Sequence, residues 1–171
     1  MFEVGRVVCY RAEGVCKITD IREEAFGGSA KKTYYVLTPI GDEKSTVYVP
    51  CDNDVLVGSM RPLLSAEEIC RLVEETREER MEWIPESRFR NTKFREILAE
   101  GDRRELLVLL FTLMEHAASV NTRKPSTVDE NAARRARKLL LEEFSVTTDL
   151  ETEEDLCRLL TGERLCQNRE D

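Results

Sequence analysis

The chain has 171 residues, a formal net charge of −8, 41% hydrophobic and 35% charged residues, a globular composition with room for one ordinary domain or two small ones. No stretch approaches the roughly 18 apolar residues of a membrane helix, and "MFEVGRVV" lacks the basic and apolar regions of a signal peptide, so a soluble cytosolic protein is expected. Residues 1–64 hold 8 basic and 9 acidic side chains, residues 65–141 hold 15 of each, and residues 142–171 hold 3 and 10. The last segment thus carries −7 of the −8, and the near-neutral body can carry local basic patches.

The first 64 residues read as β. "GRVVCY" is rich in Val and Tyr, Gly14 marks a turn, and "VCKITDI" alternates Val15, Lys17, Thr19 and Ile21 against Cys16, Ile18 and Asp20. "EEAFGGSAKK" is a hairpin loop of the longer kind, "TYYVLTPI" a strand, "GDEK" a turn, and "STVYVP" a short strand ended by Pro50. Short strands at this spacing predict a small barrel or a strongly bent sheet.

From Ser65 the hydrophobic period becomes helical. Ser65 and Glu68 form a capping box before the stripe of Ile69, Leu72 and Val73. The polar run "EETREERMEW" continues to Trp83, and Pro85 redirects the chain. A second helix from Ser87 to Glu100 carries Phe89, Phe94, Ile97 and Leu98, with Gly101 as its stop. Asp102 and Glu105 open a helix that is apolar over much of its circumference, which predicts the buried centre of a bundle. Thr127 and Glu130 start a fourth, with Ala132, Ala133, Ala136, Leu139, Leu140 and Phe144 on its core face. Thr152 and Asp155 start a short last one. The reading is α+β: a β-module over 1–64, then an all-α bundle over 65–171 with an acidic extension from about 146.

Catalytic chemistry finds little to use. With His116 the only histidine, no Ser-His-Asp set can be assembled, and neither phosphate-binding glycine motif occurs. No pair of carboxylates is placed as glycosidic chemistry requires, so no enzyme is expected. The six cysteines, at 9, 16, 51, 70, 157 and 166, form no C-x-x-C pair. Six free thiols, no metal and no cofactor are therefore expected, with a cysteine-based metal sensor as a distant alternative. Two basic clusters remain: Arg88, Arg90, Lys93 and Arg95 beside the single tryptophan, Trp83, and Arg134, Arg135, Arg137 and Lys138 opposite an Ala/Leu helix face. Each reads either as a solvated helix face or as a phosphate-binding patch. An aromatic among cations favours the second for the first cluster, whereas interleaved Glu96, Glu142 and Glu143 favour the first.

The order of features resembles the CarD/CdnL family of bacterial transcription regulators over about residues 1–145. "FEVGRVVCYRAEGVCKITDI" is similar to the family's opening, "YYVL" and "STVYVP" to its next strands, and the tryptophan, the Arg-rich helix, "LAEGD" and "ARKLLLEEF" to its helical part. The resemblance implies a Tudor-like, SH3-like barrel that docks on the β subunit of RNA polymerase, placed here on the strand of Thr46, Val47, Tyr48 and Val49. It also implies a helical domain on promoter DNA, with Trp83 as a wedge at the upstream edge of the melted bubble. Arg88, Arg90, Lys93, Arg95, Arg134 and Arg135 would then hold phosphates without reading sequence. A monomer is expected. The alternative is a protein-only interaction module that binds polymerase or another protein without touching DNA. The sequence departs from the family at Arg11, where a proline is usual, and in the spacing of "WIPESRFR", which adds residues between the tryptophan and its arginines.

Overall fold

The computed structural model describes residues 2–120, 126–165 and 167–169. It divides into two compact units, Met1–Leu63 and Leu64–Asp171.

The first unit is an antiparallel sheet of β1 (Val7–Tyr10), β2 (Gly14–Glu24), β3 (Lys32–Pro39), β4 (Val47–Pro50) and β5 (Met60–Pro62), in the order β4-β3-β2-β1-β5. A single 3-10 turn, Arg11–Glu13, joins β1 to β2. It closes through Gly14 at φ +72°, a backbone region that a side chain disfavours. Alternation sends Val8, Tyr10, Cys16, Ile18, Tyr35, Leu37, Val49 and Met60 into one core. The pairing of β2 with β3 slips between Ile18 and Asp20. That bulge returns Ile21 to the core face beside Tyr35, whereas strict alternation places it on the opposite face.

A short helix, α1 (Asp54–Gly58), and the three-residue β5 have too few residues to show a period, and the sequence reading passes over both. The expected barrel is not closed. Among the described residues no pairing joins β4 to β5, and each of these edge strands ends in a proline that cannot extend the ladder, Pro50 and Pro62.

The second unit comprises α2 (Ala66–Thr76), α3 (Ser87–Glu100), α4 (Arg103–Ser119), α5 (Thr127–Thr147) and α6 (Glu153–Thr161). The Ser65–Glu68 capping box starts α2, but the helix stops at Thr76 and does not run on to Trp83. Past Val73 no further apolar residue falls on its buried stripe, so another turn would bury nothing. Gly101 caps α3 in the left-handed region at φ +61°, and the Asp102 carboxylate accepts from the Arg104 and Glu105 amides to open α4.

Helix α4 is the central element: Leu106, Leu107, Leu109, Leu110, Phe111 and Leu113 are buried in it. Phe94 and Ile97 face inward from α3, but Phe89, expected with them, is 61% exposed. The acidic extension is part of this core, with Leu150, Leu156, Leu159 and Leu160 buried. No helix among the described residues is long and apolar enough to cross a membrane.

Candidate interaction surfaces

Residues 77–86, between α2 and α3, form a strap without regular structure along α4. Side chains hold it. Arg80 pairs with Glu115 at 2.9 Å and lies over the Phe111 ring, and the Met81 amide donates to Thr112 Oγ1 at 3.0 Å. Trp83 then stacks on His116, ring centroids 3.5 Å apart and planes 18° from parallel. Trp83 is half-buried, so it is neither a core residue nor a free one.

Arg90 explains how the strap is locked. Its Nε and Nη2 donate to the two Asp129 carboxylate oxygens at 2.7 and 3.2 Å, and its Nη1 donates to the carbonyls of Ile84 and Pro85 at 2.8 and 3.0 Å. The guanidinium carbon lies 4.6 Å from the Trp83 ring centroid. A planar fork suits this task, because one side chain can grip a carboxylate and two carbonyls while its face meets an aromatic ring. Asp129 sits in the first turn of α5, whose cap is Ser126. Arg90 therefore ties the backbone beside Trp83 to the start of α5.

This corrects the expected DNA contacts. Arg90 is 5% exposed and committed to Asp129, so it does not belong to a surface cluster. The sequence held the signal, since Arg90, Phe94 and Ile97 recur at helical spacing on one face and the other two are core. Arg88, Lys93 and Arg95 are exposed on α3, with Lys93 3.8 Å from Glu96. The second cluster is broken up. Arg137 pairs with Glu153 at 3.1 Å and Lys138 with Glu142 at 3.6 Å, while Arg134 and Arg135 are exposed. Arg134 also lines a cavity of about 730 Å³, together with Leu110, Met114, His116, Asp129 and Ala133. His116 and Asp129, missed as site residues, lie 33 and 46 positions from Trp83, and no local pattern links them to it.

On the first unit, the sheet face opposite the core carries an aromatic triad. Phe26, Tyr34 and Tyr48 meet edge to face with centroids 5.0 to 6.1 Å apart. Arg22 donates to the Tyr48 hydroxyl at 2.8 Å and is held by Glu24 at 2.8 Å. Rings in mutual contact leave no space for a ligand between them, so the triad presents a surface rather than a cage.

Residues 2–64 match the family model described as CarD-like/TRCF RID domain. The first unit is a CarD-like domain. The match ends where the helical unit begins, so the role of that unit rests on its own geometry. No curated protein matches the chain. Within the CarD-like domain, β4 is an edge strand, paired only to β3 among the described residues. Of the four residues expected to meet a partner, Thr46 is exposed and Tyr48 belongs to the outer triad. Val47 packs against the core and Val49 is 0% exposed, so the Val49 side chain faces away from any partner. The CarD-like domain also buries Cys16 fully, and burial pushes its thiol up to about 12. Burial in apolar surroundings makes such a thiol a weak nucleophile.

Proposed function

We propose that this protein is a bacterial transcription regulator that acts by binding and not by catalysis. Its CarD-like domain docks on the β subunit of RNA polymerase, and its helical unit contacts promoter DNA at the upstream edge of the bubble. The family match supports the polymerase-interacting, transcription-related part of this reading. The free β4 edge, with Tyr48, Arg22 and Phe26 beside it, suits strand addition by a partner, in which backbone bonds give affinity and side chains give selectivity.

The observation that carries the DNA part is the half-exposed Trp83, clamped to a rigid helix pair on a strap whose neighbouring helix exposes Arg88, Lys93 and Arg95. An aromatic wedge gains more from unstacked bases at a fork than from closed duplex, so binding shifts the equilibrium toward melting. A differential affinity of about 1.4 kcal/mol changes that equilibrium tenfold. The cations hold phosphates and set the register, without selecting promoters.

One observation favours a protein-only module: Arg90, Arg137 and Lys138 are all engaged with carboxylates of the chain itself. The deciding experiment is a pull-down with RNA polymerase, with and without forked promoter DNA, combined with Trp83→Ala. Polymerase binding is expected to persist in the variant while open-complex lifetime falls. Unchanged lifetime on several promoters would leave the protein-only reading.

A further inference from the structure

We propose that His116 is a positioning residue for Trp83, its imidazole fixing the direction of the indole before DNA arrives. The inference rests on the reading that Trp83 meets the DNA fork, and it goes beyond it by assigning a role to a residue on a different helix.

The strap's backbone contacts fix where Trp83 begins but not where its ring points. The Met81 amide bond to Thr112 and the Arg90 bonds to the Ile84 and Pro85 carbonyls hold the chain on both sides of residue 83. The indole itself retains its own torsions unless something meets the ring. Among the described residues its ring-to-ring contact is with His116, at 3.5 Å and nearly parallel. That histidine lies in the last turns of α4, where its backbone carbonyl accepts from the Ser119 hydroxyl at 2.8 Å and from the Val120 amide at 3.2 Å. The second group over the indole, the Arg90 guanidinium, is itself fixed by Asp129. The half-exposed indole is therefore met by two groups, an imidazole stacked on it and a guanidinium held by a carboxylate.

The consequence is entropic. A side chain ordered only on binding subtracts the cost of its ordering from affinity, whereas one ordered beforehand does not. Removing the imidazole should weaken the contribution of Trp83 by about two- to tenfold. The stack needs a flat ring and not a titrating one, so phenylalanine at 116 should replace it.

The test uses the full chain with RNA polymerase on one promoter, at saturating protein, and compares wild type, Trp83→Ala, His116→Ala and His116→Phe. Trp83 is the only tryptophan, so its fluorescence anisotropy in the free protein reports ring mobility directly. Expected are lower anisotropy and a shorter open-complex lifetime in His116→Ala, with both restored in His116→Phe. Wild-type anisotropy and lifetime in His116→Ala would overturn the proposal, provided Trp83→Ala shortens the lifetime. A longer lifetime in His116→Ala would also overturn it, because the stack would then be restraining the wedge. If Trp83→Ala itself leaves the lifetime unchanged, the DNA reading fails and the positioning role falls with it.

Discussion

Arg90 turns a surface expectation into a structural one, and the change has a measurable size. Breaking a buried ion pair by removing one partner strands the other, which costs about 3–5 kcal/mol. Arg90→Ala and Asp129→Ala should each destabilise the helical unit on that scale, and the double variant should cost much less than their sum. Urea unfolding followed by Trp83 fluorescence measures all three, and a loss below about 1 kcal/mol in either single variant would mean that water replaces the missing partner. At this scale the sequence was legible where neighbours decide and opaque where distance does. The inward face of Phe94 and Ile97 follows from local pattern, whereas the half-buried position of Trp83 does not. The partners His116 and Asp129 do not, because the tertiary fold alone brings α4 and α5 to the strap. Phe89 fits the expected apolar stripe by residue type, yet its position on α3 turns it outward.

Among the elements, the C-terminal segment differs most from its expectation. Read as an acidic extension, it supplies four buried leucines and is pinned by Arg164, which bridges Asp149 and Asp155. The Thr152 hydroxyl and the Glu151 amide donate to Asp155, and the Gln167 amide and Arg164 donate to Asp149. These bonds hold both carboxyls below the usual carboxylate range. A carboxylate with a depressed folded pKa stabilises the fold above the unfolded value, about 4, and that contribution is lost as pH falls through the folded value. Acidification below about pH 4 should therefore release Arg164 and residues 167–169 before the bundle melts. The amide resonances of Gln167 and Arg169, bonded to Asp149 and to the Thr147 carbonyl, should move toward random-coil positions first. Loss of the α4 signals at the same pH would contradict this order. Helix starts at Ser65, Asp102 and Thr152 were readable because their caps are local hydrogen bonds. The bulge at Thr19 was not, since it is a property of the pairing between two strands.

For the whole molecule, the uneven charge becomes a prediction about salt. Arg88, Lys93 and Arg95 are exposed on α3, the helix that follows Trp83, whereas the exposed Arg80 is paired with Glu115. If these three hold phosphates, the slope of log affinity for duplex-flanked forked DNA against log salt should be about −3. Arg88→Ala with Arg95→Ala should flatten it by about two units, equally for unrelated sequences. Arg137→Ala should leave the slope alone, because its charge is already matched by Glu153. A slope near zero in the wild type would leave the helical unit with protein partners only. The change from strands to helices was legible from the switch in hydrophobic period near residue 64, but the closure of the sheet was not, because strand patterning is the same in an open sheet and a barrel.

The open sheet bears on time as much as on shape. An incoming strand at β4 meets three residues, Val47 to Val49, of which alternate ones point their backbone groups outward, before Pro50 ends the ladder. So short a seam holds its partner by few bonds, and differences in affinity between related complexes are expressed mainly in how fast they come apart. If polymerase docks at β4 as proposed, it would be engaged while the promoter opens and released when transcription carries it away from the start site.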